Sequence, residues 1–384
     1  MLRQEIIFII ILSLSGCAPP LMLVGADPTN LPVTMLNAEQ SQQFDRGDAL
    51  FEHAFAPSEG LGPVYIRPSC ASCHARDGRG PGVVQRLAVL EADGRTPRED
   101  MRMFLPFGDV VRPLFVAPAT MGLMAPTNVS NLVTSIRVGP AVFGRGWIEA
   151  IDEREILRVA AEQAAGPGPE RGVVARLSDG RVGRFGLKAR VATLREFAAD
   201  ALRGDMGLTS PIFSTEVANR EGLTDDQRPG VDVSLAQVED LGLYTAAIAI
   251  PARQAGPGEG AALFARARCA ICHVPSLATR DDYPLGAIAG RPAEVFTDVL
   301  LHDMGDALAD GVREAGANHR QWRTAPLIGV RHLRSFLHDG RATSLAQAVA
   351  MHRGERSEAN ASIDTFDALA PADQRALLSY VATR

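Results

Sequence analysis

Two copies of one pattern, Cys70-Ala71-Ser72-Cys73-His74 and Cys269-Ala270-Ile271-Cys272-His273, concentrate the chemistry of this chain. Each offers two thiols and an imidazole at i, i+3 and i+4, positions that share one face of a helical turn. Two thioether bonds from such a turn pin a porphyrin edge while the histidine reaches the iron from the same side. Cys-x-x-Cys-His therefore reads as a c-type haem attachment sequence. Competing uses of Cys-x-x-Cys fit less well. A structural zinc usually takes its second cysteine pair ~15–20 residues on, whereas 195 residues separate these two pairs. A thioredoxin-like dithiol needs a strand–helix setting and no following histidine, and neither copy follows a Val/Ile-rich strand. The spacing predicts two covalently bound haem c groups, on Cys70 and Cys73 and on Cys269 and Cys272, with His74 and His273 as proximal iron ligands.

The sixth ligand separates electron transfer from small-molecule activation. For the second haem the sequence points to His352. Ser344 and Gln347 form a capping pair. Leu345, Ala348, Val349 and His352 then recur at i, i+3, i+4 and i+7, one helix face directed at the core. Met351 is the alternative, and it lies off that stripe. The first haem has no evident sixth ligand. His53 reads as exposed, and Met121 and Met124 flank a Gly-containing turn where packing is the commoner role. Glu149, inside the short apolar stretch Gly146 to Ile151, would be costly to bury unpaired. Above an open iron it would pass a proton between the two oxygens of a peroxide. Its competing reading is a carboxylate favoured by the dipole at a helix start.

Several elements must position these groups. Gly47-Asp48-Ala49-Leu50-Phe51 precedes the first motif and Gly260-Ala261-Ala262-Leu263-Phe264 the second, an internal duplication in which a helix leads into each haem turn. The first copy is longer by a Pro/Gly-rich stretch, 56–68, with loop chemistry. Helices are predicted over 151–165, 191–203 and 234–250, and from Pro371 to Val381, where Pro371 suits a first turn. Alternation around Asp179-Gly180 predicts one β-hairpin, 173–185. The expected fold is mainly α, two cytochrome c-like haem domains in tandem. The first, 41–252, carries a helical and small β-hairpin insertion, and the second runs over 253–384.

The fifth cysteine, Cys17, ends Leu14-Ser15-Gly16-Cys17 behind Arg3 and an apolar run, Ile6 to Leu12. That run is shorter than the ~20 residues of a membrane span, so residues 1–17 read as a lipoprotein signal peptide and 18–40 as a linker. Lipidation of Cys17 would tether the protein to the periplasmic side of a bacterial envelope, and Ala18 favours the outer membrane. With 39 basic and 45 acidic residues the net charge is −6 and no basic run stands out. Nucleic acid is therefore excluded as a partner.

Further motifs resemble those of the dihaem oxidoreductase family of peroxidase-like proteins. They are Asp77-Gly78-Arg79-Gly80, Val138-Gly139-Pro140-Ala141-Val142-Phe143-Gly144, Arg184-Phe185-Gly186 and Gly204-Asp205-Met206-Gly207. In the second half they are Leu301-His302-Asp303-Met304-Gly305, Trp322-Arg323-Thr324 and Leu337-His338-Asp339-Gly340-Arg341. More distantly the chain is similar to bacterial dihaem cytochrome c peroxidases and to the enzyme that matures methylamine dehydrogenase. The resemblance implies electrons arriving from a small donor, a cytochrome c or cupredoxin, and passing through the C-terminal haem to the N-terminal haem. Hydrogen peroxide or another oxidant would react there. It also places His352 where dihaem peroxidases carry a methionine ligand. Arg79, Arg323 and Arg341 are then propionate or loop-bracing partners, and Trp147 and Trp322 pack against porphyrin or bridge the haems. Relatives hold calcium between their haems; this chain has Leu333-Arg334-Ser335 where they carry Thr-Ala-Pro, which speaks against calcium here. The readings from other classes are a carrier with both irons six-coordinate and an oxidase of a protein or thiol substrate.

Overall fold

The computed structural model describes residues 31–223, 230–256 and 258–384. The signal peptide, Cys17 and most of the linker lie outside them. No described helix is long and apolar enough to cross a membrane.

Helices are the longest elements: α1 (Ala38–Glu52), α2 (Arg145–Ala150), α3 (Glu153–Ala165), α4 (Leu194–Ala201), α5 (Leu235–Ala247), α6 (Gly260–Arg266), α7 (Leu345–Ala350), α8 (Asn360–Asp367) and α9 (Pro371–Ala382). Their starts follow local chemistry. Asn37 with Gln40 and Ser234 with Gln237 form reciprocal capping boxes on α1 and α5, so two orphan N–H groups are satisfied at each start. Thr193 caps α4 and Ser344 caps α7.

Two helix crossings carry the architecture. α1 packs on α5 with Gly47 at the contact, where an added Cβ would lie 2.4 Å from the Asp240 carbonyl and 2.6 Å from Tyr244 Cβ. No residue with a side chain fits there. In the second half α6 packs on α9, and a Cβ on Gly260 would lie 2.4 Å from Tyr380 Cβ. Phe51 meets Tyr244 at 5.2 Å between ring centres, and Phe264 meets Tyr380 at 5.8 Å. The duplication seen in the sequence is thus a repeated glycine-on-tyrosine crossing, each one leading into a Cys-x-x-Cys-His turn.

The β structure departs from expectation. The longest ribbon pairs β2 (Val83–Val89) with β4 (Leu132–Val138), and two-residue strands β1 (Val64–Tyr65) and β3 (Leu114–Phe115) pair beside it. The expected hairpin over 173–185 is reduced to the isolated bridge Arg176–Val182. Its outer arm is diverted: Val173 pairs with Leu301 instead. Later come β5 (Leu277–Ala278) with β6 (Pro292–Ala293), and β7 (Leu301–Asp303) with β8 (Gln321–Arg323). The main core also crosses residue 252. Leu277, Ile288, Val295, Leu300 and Ile328 pack with Tyr244, Phe143 and Ile148, while α6, α8 and α9 enclose a second core around Phe264, Phe296 and Phe366.

Candidate haem sites

Both cysteine motifs fold as helical turns. Cys73 and His74 donate their backbone N–H to Cys70 O at 3.0 and 2.9 Å, and His273 donates to Cys269 O at 2.9 Å. The first turn is tied to α1 by Ala71 N–H on Phe51 O at 3.1 Å. It is tied to α5 through Asp77, which accepts from the buried Tyr244 hydroxyl at 2.8 Å.

Three imidazoles are oriented alike. His74 Nδ1 lies 2.8 Å from Pro140 O, His273 Nδ1 3.2 Å from Phe296 O, and His352 Nδ1 2.7 Å from Ala348 O. A ring that donates from Nδ1 to a carbonyl keeps the Nε2 lone pair for a metal. Burial pushes His74 and His273 down to about 4 and lowers His352 as well, so all three stay neutral at pH 7, the form that binds iron. The ring centres of His273 and His352 stand 6.5 Å apart, close to the ~6 Å needed for one metal between two imidazoles at bonds of about 2 Å. His352 sits just beyond α7, whose Ser344 hydroxyl accepts from Gln347 N–H. The Gln347 side chain caps Thr343 instead of Ser344, so the expected box is displaced by one residue.

Cys70, Cys73 and His74 open into a cleft whose empty space, its open mouth included, is about 900 Å³. Its walls are apolar, built by Phe51, Phe185, Leu194, Phe197 and Leu241. Its cations suit a dicarboxylate. Arg145 and Arg323 line it, both fully or nearly buried. Burial pushes Arg145 down to about 9, with the Arg323 and Arg79 charges adding to the effect. Among the described residues both guanidinium groups bond only to backbone carbonyls, Ala141 for Arg145 and Gly186 and Thr324 for Arg323, and Arg79 Nε is buried without a partner. Uncompensated cations are costly to bury, and haem propionates would neutralise them. The residues present fit a haem.

Glu149 is not among the residues that line this pocket. Its carboxylate accepts from Leu194 N–H at 2.7 Å and from the Tyr283 hydroxyl at 2.7 Å, joining α2, α4 and the second half. The acid that does face the pocket is Asp205, on a π-helical turn, Leu202–Met206, that continues α4. Such turns recur at functional sites. Burial and the Asp200 charge push Asp205 up to about 6 against Arg86, Arg112 and Arg190. Met206 also lines the pocket. Met121 and Met124 are exposed, as is His53, which pairs with Glu59.

Near the second motif His302 is buried between Asp298, 2.8 Å from Nε2, and Glu358, 2.7 Å from Nδ1. Against burial, Asp298, with Cys272 3.7 Å away, holds its pKa well above the usual value. Gln163 of α3 reaches both Asp298 and Ile271 O at 2.9 Å, a brace on the haem turn that local patterning does not reveal. His338 stacks on Trp322 with ring centres 3.9 Å apart, and the buried Lys188 ammonium lies 3.9 Å from the centre of the Trp322 ring. Trp147 is buried in the main core. Arg341 pairs with Asp339, while Arg79 reaches Leu337 O, a loop brace between the halves.

The profile described as "Di-haem oxidoreductase, putative peroxidase" matches residues 26–98 and 127–383. The chain belongs to this family. Membership makes it an oxidoreductase with two haem cofactors. Among solved structures, this dihaem oxidoreductase is similar to the diheme peroxidase BthA from Burkholderia thailandensis, with 17% identity, a TM-score of 0.41, and coverage of 89% of this chain and 85% of that one. It is also similar to a hydrazine synthase chain from Kuenenia stuttgartiensis, with 13% identity, a TM-score of 0.36 and full coverage of both chains. No curated protein matches the dihaem oxidoreductase.

Proposed function

We propose that this is a c-type dihaem peroxidase in which the two sites have different tasks. One haem is attached at Cys70 and Cys73 with His74 on iron, the other at Cys269 and Cys272 between His273 and His352. The haem domains are 41–252 and 253–384, tethered through lipidated Cys17 on the periplasmic side. The carrying observation is the asymmetry: His273 is faced by a second, neutral imidazole, whereas a carboxylate lines the pocket of His74.

When bound, the haems supply one-electron redox chemistry and, at the open position, polarisation of a peroxide O–O bond. The chain does the rest. Pro140 O fixes the ring of His74 so that Nε2 faces the cavity. Phenylalanine and leucine walls exclude water, and Arg145 and Arg323 compensate the propionates. Asp205 replaces Glu149 as the proton-handling group: a carboxylate near half-protonation can accept a proton from one peroxide oxygen and return it to the other. His273 and His352 saturate the second site, which suits it to receive electrons from a small cytochrome c or cupredoxin.

Electron paramagnetic resonance of the oxidised protein tests this. One high-spin and one low-spin ferric signal are expected; two low-spin signals overturn it. That second outcome is the carrier reading, which the side chain of Met206 in the first pocket would serve as a ligand. Steady-state peroxide turnover with a reduced cytochrome separates a peroxidase from an oxidase of protein or thiol substrates.

A further inference from the structure

Residues 99–126 lie between the two stretches that match the family, and part of this segment forms an uncharged surface hairpin. We propose that the hairpin, Arg112 to Met124, rests on a lipid surface, the bilayer to which Cys17 tethers the chain. The inference takes the tether from the function proposed above, while the affinity of the hairpin for lipid is measured without it.

From Pro113 to Ile136 there is no Asp, Glu, Lys or Arg, in a chain that is 22% charged. The first part of this run closes on itself. Arg112 and Leu123 exchange both backbone bonds, at 2.8 and 2.7 Å, and a Cβ on Gly122 would lie 2.4 Å from Pro113 O. Val116 N–H donates to Pro63 O at 3.0 Å, and β3 pairs with β1. Ala119 and Leu123 are buried, whereas Leu114, Phe115, Met121 and Met124 are 38%, 45%, 49% and 54% exposed. Consecutive strand residues point to opposite sides, and Leu114 and Phe115 are both exposed, so the hairpin projects from the body. Pro113, Ala117 and Pro118 extend the same exposed, uncharged surface. The Glu221 carboxylate reaches the hairpin and is spent on Thr120, accepting from its N–H at 3.0 Å and its hydroxyl at 2.6 Å. Exposed apolar patches of this kind mark contact surfaces.

Charge and reach together indicate what covers it. Complementary charges steer a protein partner and fix its register, and protein interfaces have polar rims. The exposed face of this hairpin offers neither. The boundary between headgroups and acyl chains needs no charge, since binding there scales with buried apolar area. The tether is also long enough. Leu31 is fixed at the C-terminal end of α5, where Ala249 N–H donates to its carbonyl at 2.8 Å. The hairpin is joined to the other end of α5: Val116 bonds Pro63, and Gly60 of the same loop packs against Asp232, beside the Ser234 cap. The 13 residues of α5 separate these ends by ~20 Å, whereas the chain from Cys17 to Leu31 extends to ~45 Å. A tether longer than the offset lets the hairpin touch the surface that holds Cys17, and it makes the contact an intramolecular one, so a weak patch suffices.

The test is sedimentation of the purified dihaem protein, exported behind a leader that leaves it without lipid, with phosphatidylcholine vesicles. Binding at millimolar lipid is expected, unchanged by about 0.5 M salt because no charges carry it. Chloramine-T should oxidise Met121 and Met124 about tenfold more slowly on the vesicles, while Met103, beside the exposed ion pair of Arg102 and Asp100, keeps its rate. Leu114→Ser combined with Phe115→Ser should lower the partition about tenfold with the haem spectrum unchanged. If that pair does not fold, Met121→Gln with Met124→Gln decides by the same readout. Absent binding, or a variant that binds like the wild type, overturns the proposal. So does binding that needs anionic lipid and low salt. A wild type that dimerises while the variant stays monomeric overturns it in favour of a second copy of the chain. A variant that keeps its vesicle binding and loses turnover with a reduced cytochrome overturns it in favour of a protein partner. The mass of the native amino-terminal peptide reports the lipid on Cys17 separately, so an unmodified Cys17 sinks the tether without deciding the affinity of the hairpin.

Discussion

Replacing His352 with alanine isolates the second site. The ring removed is half-buried, faces His273 at 6.5 Å between centres and is anchored by a bond to Ala348 O at 2.7 Å. The backbone around it is held independently, since His352 O accepts from the Ser357 hydroxyl at 2.6 Å and His352 N–H bonds Val349 O at 3.0 Å. The turn should survive, leaving a cavity the size of an imidazole. The lost hydrogen bond costs about 1 kcal/mol. The larger consequence is redox: axial ligation tunes haem over ~0.8 V, and loss of one strong nitrogen donor should raise the second potential by on the order of 0.1–0.2 V. Paramagnetic resonance and redox titration should show one low-spin species converted to high spin and one potential moved. Added imidazole should refill the cavity and restore both. If both haems respond, or neither does, the assignment of His352 is wrong.

Three further outcomes follow from the same geometry. Tyr244→Phe deletes a buried donor to Asp77 and should lower stability by about 1.5–3 kcal/mol in a urea melt, because the acceptor is charged. Glu149→Gln should cost stability through its bonds to Leu194 and Tyr283 while leaving peroxide turnover of the folded protein in place; lost turnover with the fold intact would restore Glu149 as the proton group. In the haem-free chain, where neither imidazole holds iron, acid should destabilise the fold. His74 and His273 are depressed from 6.5 to about 4, so the unfolded chain takes up protons first. Their contribution is complete above the unfolded value and is lost as pH falls from about 6.5 through 4, up to about 3 kcal/mol per ring. Melting temperature against pH, with a control in which His53 is replaced, checks this.

Legibility in the sequence follows the range of the interactions involved. The two Cys-x-x-Cys-His turns, the Ser344 cap of α7 and the bounds of α3, α5 and α9 are set within a few residues, and local patterning finds them. The stripe that carries His352 was legible because it is itself local. Glu149 and Asp205 could not be ranked that way. Both are acids in apolar company, and what separates them is a hydroxyl 134 residues from Glu149 and a pocket assembled from α1, α4, α5 and loops. The β2–β4 ribbon was also missed. Its burial along β2 runs from exposed at Val83 to buried at Val89 without alternation, so no period of two exists to be read. Around Asp179-Gly180 the alternation was real, and the turn residue Gly180 does adopt positive φ. Tertiary pairing of Val173 with Leu301 overrode the hairpin.

On the proposed assignment, one scaffold serves two chemistries. Each clamps its cysteine turn with a glycine–tyrosine helix crossing and orients its proximal imidazole through a backbone carbonyl, Pro140 in one and Phe296 in the other. Those parts only position, and they are shared. The difference enters where a later segment closes over the pocket. In the second half, the turn after α7 delivers an imidazole whose Nδ1 is already committed, so Nε2 is its one remaining donor. In the first half, the π-turn after α4 delivers a carboxylate braced from outside by Arg112 and β1. A helix widened by one residue per turn changes which side chain reaches the cavity without moving the helices that hold the porphyrin. The proposed split between an electron-receiving site and a peroxide-binding one thus needs divergence at only one turn per half.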